Sequence, residues 1–264
     1  MLDTSLNQGA GLHSIPCPAL ARVIAVASHG DSQSELPLLW NLCIALASMS
    51  TGPLAVLDGT TPESIEHPGL SHFLEDGHKP YESRCGQPAW DVIPAARGLE
   101  KLCQQPRLGM QALNNLGNLL RSHGTIVMYA PADLLGTLMA DSGAHPLLLV
   151  SSTRTSRVTA YQSLKRMLLN CGLRPTIATM VVDSRQSALN AGQALSNNLQ
   201  DCAMYFLGYK LDVITLPVDP DSFPNDMNRL AVRLLESALS LQRNASEMFC
   251  SAGHNTTQNM VRSH

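Results

Sequence analysis

The sequence has few aromatic residues, little charge and no long apolar run. Aromatic residues make up 4% of the 264 residues, and the formal net charge is −3. A charge so close to zero gives no overall field that favours nucleic acid or an anionic membrane surface. No apolar run reaches the roughly 18 residues that a membrane-spanning helix needs. We therefore expect no direct nucleic-acid partner and no stable membrane anchor.

Recognisable metal-binding and nucleophile motifs are also missing. The seven cysteines form no C-x-x-C pair, and their number is odd. Since the start shows no basic region followed by an apolar one, we expect a reduced, cytoplasmic chain. His67, His72 and His78 cluster only loosely, which favours a solvated loop over a metal site. No G-x-S-x-G string indicates a serine hydrolase.

Short apolar runs typical of buried strands alternate with segments of helical spacing. This pattern predicts an α/β fold: a mostly parallel, twisted sheet of about seven strands with helices on both faces. The predicted strands are Val23–Ala27, Leu54–Asp58, Trp90–Pro94, Gly124–Ala130, His145–Ser151, Thr176–Asp183 and Leu211–Leu216. The predicted helices are Leu38–Met49, Gly69–Glu75, Leu108–His123, Ala132–Ala140, Ser156–Asn170, Ser187–Leu207 and Asn225–Leu241.

The predicted domain boundaries follow composition. Residues 1–20 are polar and are expected to form a flexible extension, and 21–243 are expected to form the α/β domain. Residues 244–264 are polar and are expected to form a disordered tail.

The stretch from Arg22 to Asp58 has the layout of a phosphate-binding strand–loop–helix unit. The chemistry of its loop, Ser28–Glu35, does not suit phosphate. Such loops need glycines for close backbone approach, a lysine for charge and a Ser/Thr hydroxyl for Mg²⁺. Here Gly30 is the only glycine, lysine is absent, and Asp31 and Glu35 bring negative charge.

Five segments together resemble the MinD/ParA group of deviant P-loop ATPases, and most of all its flagellar-number regulators (FlhG/FleN). The family's first strand and following helix match VIAVAS at Val23–Ser28 and NLCIALA at Asn41–Ala47 without a gap. AVLDGT at Ala55–Thr60 is similar to the family's second strand end. Val150–Tyr161 and Asn198–Asp219 are similar to two later family segments. The resemblance covers about residues 22–241 and implies a P-loop NTPase fold.

The same gapless match shows where the nucleotide chemistry departs from the family. The family's dimer-bridging lysine falls on Gly30, and its loop glycines fall on Asp31, Ser32 and Ser34. The lysine that holds the phosphates falls on Glu35, and the magnesium-binding threonine falls on Leu36. The family's second acid falls on Tyr129. Asp58 keeps the first acid, for which we favour a structural, capping role. Because phosphoryl transfer depends on positioning and charge, these losses predict a pseudo-ATPase with no catalytic residue, no bound ATP and no metal. Trp40, just after the loop, is expected either in the core or at a partner interface.

The N-terminal segment supports the flagellar branch. Asn7–His13 (NQGAGLH) is similar to the family's DQAxxLR-like motif and keeps Gln8 and Leu12 at its spacing. We therefore expect Gln8 and Leu12 to bind a partner. By resemblance, candidate partners are the flagellar GTPase related to signal-recognition-particle proteins, the flagellar switch proteins and the flagellar transcription activator.

The sequence leads to one preferred function and two alternatives. The preferred function is a non-catalytic regulator of flagellar number or placement, in the cytoplasm and including the cell pole. The first alternative is a residual ATPase in which Lys79, Lys101 or Lys165 supplies the missing charge. The second is a MinD-like scaffold in another system, such as cellulose secretion, pilus localisation or chromosome partition.

Overall fold

A computed structural model describes residues 20–50, 52–75, 90–104, 110–181, 194, 197–205, 207–219 and 221–241. The strands are β1 Ala21–Ser28, β2 Leu54–Asp58, β3 Trp90–Pro94, β4 Thr125–Pro131, β5 Leu147–Ser151, β6 Thr176–Val181, β7 Asp212–Pro217 and β8 Leu239–Leu241. The labelled helices are α1 Ser32–Met49, α2 Leu70–Glu75, α3 Ala96–Gln104, α4 Met110–Leu119, α5 Ala132–Leu138, α6 Arg154–Asn170 and α7 Phe223–Glu236. Residues 197–205 are also helical.

Seven strands form one parallel sheet in the order β3-β2-β4-β1-β5-β6-β7. β1 lies between β4 and β5, so the chain first builds the sheet on one side of β1 and then crosses to the other. In such sheets, ligands bind beyond the carboxyl ends of the strands, at the point where the strand order reverses. The carboxyl end of β1 lies at this point. The predicted α/β fold, with a seven-stranded parallel sheet, is confirmed.

Two hydrophobic clusters cover the two faces of the sheet. One is built on α1 and α7, with buried residues such as Leu42 and Leu230. The other is built on α2 to α6, with buried residues such as Leu99, Leu113 and Leu164. Apolar strands buried on both faces are what a parallel sheet requires, and they hold β1 rigidly in the centre.

Most predicted elements that lie in the described ranges are confirmed to within a few residues, but the end of the domain is not the predicted helix. The start of the predicted helix Ser187–Leu207 and the end of the predicted strand Thr176–Asp183 lie outside the described residues. The helical spacing predicted one helix over Asn225–Leu241, whereas α7 ends at Glu236 and Leu239–Leu241 pairs antiparallel with Ala21–Val23 of β1. β5 pairs with β1 only at Val26 and Ala27, so the earlier part of that edge is open to β8. Leu239–Leu241 is therefore a strand because it can pair with β1, and no local sequence pattern reveals this partner.

Two further differences concern helices. α3 was not predicted, and no element was assigned to its nine residues. α1 begins at Ser32, six residues before the predicted start at Leu38, and this shortens the loop. Within the described ranges, no helix is both long and apolar enough to cross a bilayer.

Candidate functional site

The loop after β1 consists of only three residues, His29, Gly30 and Asp31. Gly30 has φ +89°, a left-handed conformation that glycine adopts without strain. Ser32 and Ser34, which the family match places on loop glycines, lie in the first turn of α1. The predicted loop Ser28–Glu35 is thus shorter, a tight turn that runs directly into the helix.

Asp31 closes the start of α1 through its backbone and its side chain. Its carbonyl oxygen accepts hydrogen bonds from the backbone N–H groups of Ser34 and Glu35, both at 3.0 Å. Its Oδ2 accepts from Ser34 Oγ at 2.8 Å, and Ser34 Oγ also lies 2.9 Å from Ser151 Oγ at the end of β5. Asp31 and Ser34 therefore fix the helix start and tie it to the neighbouring strand.

Glu35 is turned into the protein and is only 1% exposed. Its Oε1 accepts hydrogen bonds from the backbone N–H of His29 at 2.8 Å and of Asp31 at 3.2 Å. Its Oε2 accepts from Ser28 Oγ at 2.9 Å and from the hydroxyl of Tyr129. Four hydrogen-bond donors therefore surround one carboxylate, and His29 Nδ1 lies 3.1 Å from Oε1. The two oxygens of a carboxylate have enough lone pairs to accept from all four donors.

The backbone donors of the loop are consequently all used within the protein. His29 and Asp31 donate to Glu35, and the N–H of Gly30 donates to Ser28 Oγ at 3.3 Å. In a phosphate-binding loop, successive N–H groups of this kind cradle the phosphate oxygens. Here the Glu35 carboxylate accepts the hydrogen bonds that phosphate oxygens accept in such a loop.

His29 links the loop to the far side of the sheet centre. Its Nε2 lies 2.8 Å from the carbonyl oxygen of Leu149 in β5, which can only accept. Its Nδ1 faces Glu35 and also lies 2.8 Å from Thr159 Oγ1 in α6. The two ring nitrogens thus hold the loop against both β5 and α6.

Tyr129 occupies the position of the family's second acid and points its hydroxyl at Glu35. The β1–β4 register sets Tyr129 beside Val26, two residues before the strand end. Burial raises the pKa of Tyr129, and the hydrogen bond to Glu35 raises this pKa further. The phenol therefore keeps its proton and serves as a donor, where the family has a carboxylate.

The Asp58 carboxylate, at the end of β2, accepts hydrogen bonds from the residues of the turn that follows it. Its Oδ1 accepts from the backbone N–H of Thr60 at 2.9 Å and from Thr60 Oγ1 at 2.6 Å. Its Oδ2 accepts from Thr61 Oγ1 at 2.7 Å. This is a structural use of the carboxylate, of the kind that acids commonly have at turns.

Leu36, at the position of the magnesium-binding threonine, points outward and is 48% exposed. Trp40 and Ile44, one and two turns further along α1, are 55% and 49% exposed. The Trp40 ring meets the edge strand at Trp90, with ring centroids 4.9 Å apart and the planes at 77°. Leu38 and Leu39 are buried. Gln8 and Leu12, the predicted partner-binding residues, lie outside the described residues.

Sequence reasoning missed a second buried acid, Glu63, which is 2% exposed. It accepts from the backbone N–H groups of Arg97 and Gly98 in α3, both at 2.8 Å, and of Ser71 in α2 at 3.1 Å. Burial alone would raise the pKa of Glu63, but these backbone hydrogen bonds outweigh it and hold the pKa below its usual range. Sequence reasoning assigned no role to His29 either. Its position in the loop was the only available signal.

Searches with protein-family models and among curated proteins find no match to this chain. Among solved structures, the cobyrinic acid a,c-diamide synthase of Mycobacterium smegmatis, with bound ADP and magnesium, gives a TM-score of 0.53 at 15% identity, covering 82% of this chain and 94% of that chain. The ParA-family ATPase of Chlorobium tepidum gives 0.46 at 16% identity (83% and 96% covered). MinD of Aquifex aeolicus gives 0.48 at 13% identity (82% and 96% covered).

A ParA-family ATPase and MinD are thus among the solved structures that this chain matches, at 16% and 13% identity. Of these three likenesses, only that to the cobyrinic acid a,c-diamide synthase has a TM-score above 0.5, and at 15% identity it shows the fold alone. The loop N–H groups already hold a carboxylate, and Leu36 offers no oxygen to a metal.

Proposed function

We propose that this chain is a non-catalytic, MinD-like regulator of bacterial flagellar biosynthesis that acts by binding other proteins. The observation that carries this proposal is the Glu35 carboxylate, which fills the phosphate-cradling part of the loop. The flagellar assignment is supported by the family resemblance and by Gln8 and Leu12 of the N-terminal motif.

The buried acid argues against a nucleotide switch on energetic grounds. To admit a triphosphate, the Glu35 side chain would have to leave its four hydrogen-bond donors while its carboxylate stayed near the phosphates. Leaving a buried hydrogen-bonding group without its partner typically costs about 1–3 kcal/mol. Phosphoryl transfer is promoted almost entirely by positive charge and positioning, and Glu35 and Tyr129 supply neither a cation nor a metal ligand here.

No observation favours the alternative of a residual ATPase with relocated lysines. Lys101 Nζ pairs with Glu75 at the protein surface, and Lys165 is exposed on α6. Lys79 lies outside the described residues. We therefore do not propose an ATPase as a second function.

A protein-binding role has a suitable surface on α1. We name its exposed apolar residues Leu36, Trp40 and Ile44 the α1 stripe. The only charged residue of the 18-residue helix is Glu35, which is buried. An outer helix face with large apolar side chains and no charge is typical of the centre of a protein interface. The α1 stripe begins next to the loop after β1, so the exposed apolar surface and the filled loop lie side by side.

The proposal is tested in the flagellated bacterium that carries the gene, by combining deletion with co-purification. Deletion should change the number or placement of flagella, and the full chain should co-purify with a flagellar GTPase, switch protein or transcription activator. Complementation with a chain carrying Gln8→Ala and Leu12→Ala should fail if the N-terminal motif acts as predicted. Unchanged flagellation, with partners only from cellulose secretion, pilus or partition systems, would refute the flagellar role.

A further inference from the structure

We infer that the Glu35 carboxylate is the permanent anionic ligand of the loop. The hydrogen-bond donors around it form a cradle, and this cradle binds a small free carboxylate when the Glu35 side chain is shortened. This inference builds on the proposed loss of nucleotide chemistry and is independent of the flagellar role.

The donors around Glu35 form the kind of cradle that proteins use for anions. Two backbone N–H groups converge on Oε1, and two hydroxyl groups, from Ser28 and Tyr129, converge on Oε2. They come from the end of β1, the loop and β4, whereas the carboxylate comes from α1. The cradle is therefore built by elements other than the one that carries its ligand.

Removing the Glu35 side chain would leave this cradle with unsatisfied donors. The backbone of the loop is fixed by the sheet centre, and Tyr129 is held in β4 between buried neighbours. Buried donors without partners are unfavourable, so the space should take up water or an anion that can restore the hydrogen bonds. His29 adds a ring that faces the same space.

The local charges select the class of anion. Asp31 lies in the loop, and the Asp58 carboxylate is close enough to raise the pKa of Tyr129 further. These two acids disfavour a multiply charged phosphate. Formate and acetate carry one charge and reproduce the group that was removed. We therefore expect small monocarboxylates to bind better than inorganic phosphate.

The internal anion also fixes the surroundings of the loop. His29 reaches Leu149 and Thr159, and Ser34 reaches Ser151, so the loop is tied to β5 and α6. A loop that carries its own ligand keeps these contacts whether or not a nucleotide is present. The surface next to it, including the α1 stripe, is therefore always in one arrangement.

The test is thermal unfolding of the full chain with Glu35→Ala, in sodium formate, acetate, phosphate or chloride at equal ionic strength. Formate should raise the midpoint of the variant by several degrees over chloride, and phosphate should raise it less. The wild type and Glu35→Gln, whose cradles are filled, should respond equally to formate and chloride. Glu66→Ala, a truncation of an exposed acid, serves as the matched control.

Two further measurements keep the inference open to refutation. Adding Tyr129→Phe to Glu35→Ala removes one donor and should weaken the response to formate severalfold. If Glu35→Ala does not fold in chloride, formate should restore the soluble, folded yield. Equal behaviour in formate and chloride, for folded protein or for refolding yield, would overturn the inference. That result would leave the flagellar proposal untouched.

Discussion

At the scale of single residues, two buried acids, Glu35 and Glu63, serve the same physical purpose. Each accepts hydrogen bonds from backbone N–H groups where a loop meets a helix. The donors to Glu63 are N–H groups in the first turns of α2 and α3, which lack partners within their helices and favour negative charge. The backbone donors to Glu35 are the loop N–H groups of His29 and Asp31. Both acids therefore supply from within the protein what an external anion would otherwise supply.

Glu63 gives a prediction about pH. Because its folded pKa lies below its usual value, Glu63 stabilises the protein above its unfolded pKa of about 4.3. This contribution is lost as the pH falls through the lower, folded pKa. Glu63→Gln should therefore lower the free energy of unfolding at pH 7 by about 1.5–3 kcal/mol. The difference from the wild type should shrink as the solution is acidified.

Urea unfolding at several pH values checks this, with Glu66→Gln as the control for an exposed acid. A difference between Glu63→Gln and wild type that stays constant from neutral to acid pH would mean that the charge of Glu63 is not what matters.

At the scale of elements, α1 carries both the closed loop and the exposed α1 stripe. Leu36 and Ile44 are about half exposed, so replacing them with serine should change stability little. If the α1 stripe is the partner surface, Leu36→Ser with Ile44→Ser should weaken binding of the co-purified flagellar partner at least tenfold, since apolar anchors dominate interfaces.

The matched control for α1 is Val158→Ser with Leu169→Ser on α6, where the two side chains are 52% and 54% exposed. Binding is measured by titration calorimetry with purified partner, and folding by thermal unfolding. Equal affinity for both double variants would place the interface elsewhere on the molecule.

Secondary structure and site geometry differ in how far the sequence could predict them. Apolar strands such as Trp90–Pro94 are fixed by local pattern and were predicted with correct bounds. β8 was not predicted, because its three residues become a strand only where the edge of β1 is open. The inward position of Glu35 could not be predicted either, since Tyr129 is 94 residues away and only the sheet order brings it close.

At the scale of the whole molecule, the hydrophobic core lies apart from the loop after β1. The two hydrophobic clusters are built from strands and helices on both sides of the sheet, and neither includes the loop residues 29–31. What the site needs is an anion in the cradle after β1, and Glu35 supplies it. We therefore expect the sheet and its two clusters to keep their structure without a nucleotide.

The most direct test of this account is titration calorimetry of the wild-type full chain with Mg·ATP. The filled cradle and the absence of lysine and threonine from the loop predict no detectable binding at millimolar nucleotide. A parallel titration with Mg·ADP should also show no detectable binding. Saturable binding of Mg·ATP with a micromolar Kd would contradict the account, because it would require Glu35 to leave its four hydrogen-bond donors at little cost.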